Sequence, residues 1–427
     1  MAYELPKGTR DLLPKEKIVK NQVVDTLRRV FERYGFNPIE TPCMQTYDAM
    51  TAKSGALDDA ANEMYTFTDR GERKLGLRYE FTFPLCRMVC EQMRTLQKPF
   101  KRYEMGPCWR DGPVKLGRFR EFWQCDVDTV GADVGLADAE LLALAYDVAR
   151  EAKLDIVIEL NNRKILRGIM EAAGVPEDKI YSAIIALDKY EKVGMEGVRA
   201  EMEDDAFEPE VIEKLFDIVL VEGTNDEKIA ALAKVKNKDM QDGLEETKLV
   251  LQYAQSLGVP SDAIEFTPTM ARGLGYYTGP IFEAFFRKSN VKVAIAGGGR
   301  YDNSVGTYFD GKTRVPATGI SFGLDTIITA MGESDKRSVA RVYVVPFKQT
   351  IGQALTIAQQ LRNNGINVDV DLSGKNIGKA MDYADSYAIP FVVIVGPKDI
   401  ENNEVTVRDM VKGEDKKVKI ASLSGYF

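Results

Sequence analysis

Val19, Val23, Leu27, Val30 and Tyr34 recur at spacings of three and four, the signature of one apolar helix face, and predict a helix over about 15–34 stopped by Gly35. A short strand over 36–41 follows, closed by Pro42. Short strands at 64–68 and 75–79 come next, then a helix at 83–93. Two longer strands flank 111–117, whose Gly-Pro and Leu-Gly pairs mark a loop between antiparallel partners. A helix at 138–152 and a strand at 156–160 complete this first stretch.

Between 162 and 258 the strand signal fades, and five helical stretches (165–173, 180–192, 209–221, 227–235, 242–257) predict a helical insertion. Strands return at 264–268, 281–287 and 291–296, the last running into Gly297, Gly298 and Gly299, and a helix at 324–331 closes the body. After a polar linker, strands at 340–346, 368–371 and 391–395 alternate with helices at 352–363 and 377–387. A hairpin at 404–408 and 417–421 ends the chain. That alternation predicts a small α/β domain with a mixed sheet over 336–427, behind an α+β body over 1–335 whose sheet is antiparallel.

Composition narrows the chemistry. The 427 residues include no histidine, which excludes Ser-His-Asp and Cys-His catalysis and every His-containing metal site. Cys43, Cys86, Cys90, Cys108 and Cys125 form no CxxC pair, so neither zinc nor a disulfide framework is expected; Cys86 and Cys90 share a helix face as small buried hydrophobes. No apolar run reaches the roughly 18 residues of a membrane span. The first residues carry no basic start with an apolar block, so a soluble, cytoplasmic protein is expected.

Net charge is −8, yet residues 336–427 carry 13 basic and 10 acidic side chains, net +3, against −11 for the body. Seven basic residues between Lys98 and Arg120, interleaved with Tyr103, Trp109, Phe119, Phe122 and Trp123, predict an anion site beside an aromatic platform. No P-loop or strand-linked GxGxxG is present. Arg272 sits beside Tyr276, Tyr277 and three glycines. A guanidinium there suits phosphate or carboxylate, and phenols near an acid suit a polar ring with N–H groups.

PKGTRDLLP, YGFNPIETP, LRYEFT, CWRDGPVKLGRFREFWQCDVD, RGLGYYTG and AGGGRYD occur in this order over essentially the whole chain. Together they resemble a histidyl-tRNA synthetase of the archaeal type, a class II aminoacyl-tRNA synthetase; the last two are similar to that family's histidine-specific motifs. The resemblance implies ATP-dependent attachment of L-histidine to tRNA(His) through histidyl-adenylate, with Mg²⁺, by a homodimer. It also implies that the C-terminal domain binds the anticodon. Glu80, Phe81, Thr82 and Gln124 would hold the amino group. Arg110 and Arg272 would stabilise the α-phosphate, Arg272 reaching the amino-acid carboxylate as well, and Arg118 would reach the outer phosphates. Phe122 would stack on adenine. Asp128 would accept a hydrogen bond from the imidazole, with Tyr276 and Tyr277 lining the ring and a turn of Gly297, Gly298 and Gly299 as the pocket floor.

Three positions depart from the pattern: Gly112 where an acid is common, Gly275 for Asp, and Thr326 where the third class II motif (GISFGLDTI) has an Arg. They bear on the outer-phosphate contacts. The competing reading is a catalytically silent paralogue acting as a histidine-sensing regulatory subunit. Such relatives lack the C-terminal domain and lose motif arginines, whereas 336–427, Arg110, Arg118 and Arg272 are all present here.

Overall fold

The computed structural model describes residues 3–52, 62–115, 117–271, 275–288, 293–331, 335–374 and 376–427. It divides into two compact units: Met1–Thr9 with Val23–Met331, and Arg10–Gln22 with Gly332–Phe427. The sequence suggests instead a single cut after residue 335.

In chain order the strands are β1 (Asn37–Pro38), β2 (Met44–Thr46), β3 (Thr66–Thr68), β4 (Lys74–Leu77), β5 (Phe100–Trp109) and β6 (Glu121–Val130). Then come β7 (Ile156–Asn162), β8 (Ile264–Phe266), β9 (Pro280–Phe286), β10 (Ala296–Arg300) and β11 (Ala317–Gly323). The second unit holds β12 (Val342–Pro346), β13 (Val368–Val370), β14 (Phe391–Val395), β15 (Glu404–Asp409) and β16 (Glu414–Lys419).

The first unit is organised by an eight-stranded sheet in the order β1-β5-β6-β11-β10-β9-β7-β8, antiparallel except at its two edge pairs. Side chains alternate across a strand, so each face can be read from the register. One face presents Tyr103, Cys125, Val127, Ile320, Phe322, Phe282, Ala284 and Ile158, all buried in the main core. Against it pack Val23, Leu27, Val30 and Phe31, with Phe31 5.8 Å from the Tyr103 ring and 5.6 Å from Phe322. The helix Leu136–Ala152, rich in buried Ala and Leu, packs on the same core. The opposite face is polar and carries the candidate site. A smaller sheet, β2-β4-β3, leads into the helix Thr82–Glu91.

The insertion is helical, as expected, but its layout differs. The stretch read as one helix over 180–192 ends at Leu187, and a helix absent from the sequence reading runs Tyr190–Asp204 with a kink at Gly194. Two further expectations are corrected. The glycine run is not a turn but the interior of β10, and β11, at the centre of the sheet, was not expected as a strand. Val291 and Lys292 lie outside the described residues.

The second unit has the mixed sheet that alternation predicts, ordered β13-β12-β14-β15-β16, with β12 parallel to β13 and β14 and the rest antiparallel. Ala354, Ile357, Ala358 and Leu361 of the helix Ile351–Asn363 join Val344 and Val393 in one core cluster. Ala380 and Ala384 of the helix Ile377–Ser386 join Tyr343, Val345 and Val392 in another. Among the described residues no helix is long and apolar enough to cross a membrane.

Candidate active site

On the polar face of the large sheet the register sets out two rows. Glu104, Asp126, Ser321, Gly297 and Glu283 run across β5, β6, β11, β10 and β9; Arg102, Asp128, Gly319, Gly299 and Ile281 form the row beside it. Gln124, two residues from Asp126, shares this face, and its Nε2 donates to Ser321 Oγ at 2.7 Å. The middle of the hollow is therefore bare backbone, with carboxylates and a guanidinium on the β5–β6 side.

Two glycines make that approach possible. A Cβ on Gly319 would lie 1.9 Å from Asp128 Oδ1, and one on Gly298, which faces the other way, 1.9 Å from the Gly319 carbonyl oxygen. No side chain fits either place.

The buried charges are ordered. Arg102 is fully buried, with Nη2 2.7 Å from Asp128 Oδ2 and Nη1 3.9 Å from Glu104 Oε2. Arg78 also reaches Glu104, at 3.2 Å, and donates to the Thr41 and Pro107 carbonyls. Thr41 donates its N–H and hydroxyl to Glu104 Oε1 at 2.7 and 2.8 Å, joining the segment after β1 to β5. The second oxygen of Asp128 accepts from the Tyr301 hydroxyl. Burial raises the carboxyls of Asp126, Asp128, Glu104 and Glu80, with Arg102 opposing the shift at the first three and a hydrogen bond from Thr82 opposing it at Glu80.

Glu80 accepts from the Phe83 N–H at 2.8 Å at the start of the helix Thr82–Glu91, where helix N–H groups favour an anion. Above the sheet, Tyr276 packs edge-on to Phe83 (6.1 Å) and Tyr301 (6.2 Å), and 4.7 Å from Tyr277. The two consecutive tyrosines lie in the turn before β9 and not in a strand, so they are not forced to opposite faces.

Arg110 follows β5. Its guanidinium lies over Tyr79 at 4.2 Å and over Phe122 at 4.9 Å, and Nε donates to the Tyr79 carbonyl at 3.2 Å. Two rings thus hold a planar cation at the mouth of the hollow. Arg118 is exposed on the loop between β5 and β6. A Cβ on Gly112 would lie 2.9 Å from Glu63 Oε1, so a neighbouring carboxylate stands beside the position where the resemblance leads one to expect an acid. Thr326 Oγ1 donates to the Gly117 carbonyl at 3.4 Å on the same loop.

The structure thus gathers Glu80, Gln124, Asp128, Tyr276, Tyr277, Gly297 and Gly299 around one hollow, with Arg110 and Phe122 at its mouth. Phe81 and Thr82 are buried at the helix start, and Gly298 faces the opposite side of the sheet. Arg272 lies outside the described residues. The anion stripe between Lys98 and Arg120 does not form one patch. Lys101 pairs with Glu140, Arg102 is buried on the other face, and Arg120 pairs with Asp111, because strand alternation disperses neighbours in sequence. Cys86 is buried as expected, while Cys90 is only partly so, its thiol donating to the Tyr308 carbonyl at 3.2 Å. Sequence reasoning missed Arg102, Asp126, Ser321 and Tyr301 as pocket groups. The period-two spacing of Gln124, Asp126 and Asp128 is the signal that would have found Asp126.

A family model described as histidyl-tRNA synthetase matches residues 8–327, and one described as an anticodon-binding domain matches 341–427. "Histidine--tRNA ligase 1" of Bacillus cereus is 40% identical over 98% of this chain and 98% of its own. A solved histidyl-tRNA synthetase from Nostoc sp. PCC 7120 aligns with TM-score 0.88 at 30% identity, over 100% of this chain and 99% of that one. An ATP phosphoribosyltransferase regulatory subunit/histidyl-tRNA synthetase structure from Bacillus halodurans shares the fold, with TM-score 0.77 at 22% identity over 92% of this chain and 98% of its own.

Proposed function

The chain belongs to the histidyl-tRNA synthetase family, and we propose that it joins L-histidine to tRNA(His) at the expense of ATP, releasing AMP and diphosphate. The histidine carboxylate attacks the α-phosphorus of ATP to give histidyl-adenylate and diphosphate; a terminal hydroxyl of the tRNA then attacks the acyl carbon and releases AMP. The observation that carries this reading is the glycine-floored hollow, with buried carboxyls on one side and the ring-held Arg110 at its mouth.

Glu80 and Gln124 take the amino group, beside Phe81 and Thr82. Arg110, joined by Arg272, neutralises the charge that builds on the α-phosphate. Adenine stacks on the face of Phe122 that Arg110 leaves open, and Arg118 meets the outer phosphates. Asp128, Tyr301, Tyr276 and Tyr277 form the end of the hollow that receives the ring, above Gly297 and Gly299. No side-chain base is required, because the attacking carboxylate is already ionised; rate comes from positioning and charge. Magnesium enters as the counter-ion of the nucleotide, part of the substrate MgATP.

Residues 336–427 receive the anticodon end of the tRNA, and the protein works in the cytoplasm as a dimer of two 47.6 kDa chains. The helix Pro14–Arg33 and β1 are the elements proposed for the two-fold interface. A silent regulatory subunit is the reading to beat, and one measurement separates them. Histidine-dependent exchange of labelled diphosphate into ATP supports a synthetase; histidine binding without exchange sinks it.

A further inference from the structure

The loop between β5 and β6 carries four cations, Arg110, Lys115, Arg118 and Arg120, and the fold accounts for two of them. Arg110 is held between the rings of Tyr79 and Phe122. Arg120 pairs with Asp111 at 2.7 Å and donates to the Gly112 carbonyl at 3.3 Å. Lys115 and Arg118 are exposed, and neither forms an ion pair among the described residues. Their backbones form an isolated antiparallel bridge: the Lys115 N–H donates to the Arg118 carbonyl at 3.1 Å, and the Arg118 N–H to the Lys115 carbonyl at 2.9 Å. Residues directly opposed in this way set their side chains on one face, with Cβ atoms about 5 Å apart, and like charges there repel.

The tip that holds these two charges is fixed from behind. Gly117, with φ +74°, brings the turn against the helix Leu324–Met331. A Cβ on it would lie 3.7 Å from Thr326 Cα, and its carbonyl accepts from Thr326 Oγ1 at 3.4 Å. Asp325, the residue before, accepts from the Trp123 N–H at 2.9 Å. One helical turn therefore grips both the loop tip and the first residues of β6. Thr326 is also the position at which the resemblance leads one to expect an arginine.

Resting on the ATP reading above, we propose that Lys115 binds the outer phosphates together with Arg118, as one clamp carried by the loop, and that Thr326 is the positioning residue that holds this clamp in place. The cation absent from the helix is supplied by the loop docked on it. A phosphate between the two side chains turns their repulsion into two charge-assisted contacts, the lysine acting as a point charge and the arginine as a fork. The outer phosphates leave together as diphosphate, so the same pair holds that product. RNA, the other polyanion of the reaction, spaces its phosphates along a chain, whereas the bridge asks for charge concentrated between two opposed side chains.

The test uses the full-length protein and histidine-dependent exchange of labelled diphosphate into MgATP. Lys115→Ala should raise the KM for ATP roughly 10-fold and leave the KM for histidine unchanged. Thr326→Val, which removes the hydroxyl and little volume, should move the ATP KM the same way by less. Thr326→Arg in the Lys115→Ala protein should recover most of the loss, because the helix then carries the cation that the loop has given up. The ligand-free Lys115→Ala protein should melt no lower than wild type, since a repulsion is removed, and ATP should raise its melting temperature less. An unchanged KM for ATP in Lys115→Ala overturns the proposal. Normal exchange with slowed transfer to tRNA overturns it too, and assigns the lysine to RNA. If Thr326→Arg brings no rescue, the helix and the loop do not serve the same phosphates and the positioning role falls. A wild-type protein without histidine-dependent exchange removes the functional reading and this inference together; exchange that is indifferent to Lys115 removes the inference alone.

Discussion

Asp126, Asp128, Glu80 and Glu104 are carboxyls kept in low dielectric, and burial raises all four. The folded chain then holds protons that the unfolded chain has released, above the ordinary carboxylate value of about 4. Stability from these groups is complete below that value and declines as pH climbs through the folded values. With no histidine in the chain, imidazole titration does not mask the trend. Replacing Asp126 by Asn removes a fully buried carboxyl that forms no direct ion pair among the described residues and feels Arg102 only at a distance. The variant should be more stable than wild type, by on the order of 1 kcal/mol at pH 8 and by less at pH 5. Thermal melts of the ligand-free protein at the two pH values would check this; a variant less stable at pH 8 would show that Asp126 is compensated after all.

Among elements, the strands β10 and β11 carry the candidate site and were the hardest to read. The helix Pro14–Arg33 announces itself through apolar spacing, and the β5–β6 hairpin through two long apolar-rich runs about a glycine-marked loop. The run Ala317–Gly323 has two glycines, a serine and a threonine, so it lacks the bulky alternation that betrays a strand. Gly297, Gly298 and Gly299 likewise read as a turn, because glycine says what a backbone is permitted to do and not what its neighbours make it do. The ladder between Ala296–Arg300 and Thr318–Phe322 is what extends both. Motifs name candidate site residues directly because they record chemistry, whereas the contacts of Arg102 and Tyr301 with Asp128 emerge only once β5, β6, β11 and β10 lie in one sheet. Because a Cβ on Gly298 would meet backbone of β11, Gly298→Ala should cost about 3 kcal/mol, read from urea unfolding. A loss below about 0.5 kcal/mol would mean that the two strands part easily.

For the whole molecule, the two compact units carry opposite charge balances, net +3 over 336–427 against −11 before it. The helix Ile377–Ser386 begins with Asn376 capping Lys379 N–H, a helix start that suits phosphate; Lys375 beside it lies outside the described residues. A chain ending at Met331 should keep much of its histidine-dependent diphosphate exchange if it stays dimeric, while losing most tRNA charging and much of the salt dependence of tRNA binding. Undiminished charging by a dimeric truncation would remove the anticodon role from residues 336–427.

The glycine floor has one more consequence, for how the interior is finished. Most interiors are finished by their own side chains, packed as densely as a crystal. Here Gly297, Gly299 and Gly319 bring bare backbone to the polar face, and Asp126 lies beside them with one carboxyl oxygen unpartnered. On the reading proposed above, the bound amino acid would be one more core residue, delivered from solution. At a hundred times its dissociation constant, histidine alone should stabilise the protein by about 2.7 kcal/mol. Slowed amide exchange should concentrate in β6, β10 and β11. Protection spread evenly over the first unit would mean that the ligand only visits a finished fold, whereas protection along these three strands would mean that the fold is completed by what it binds.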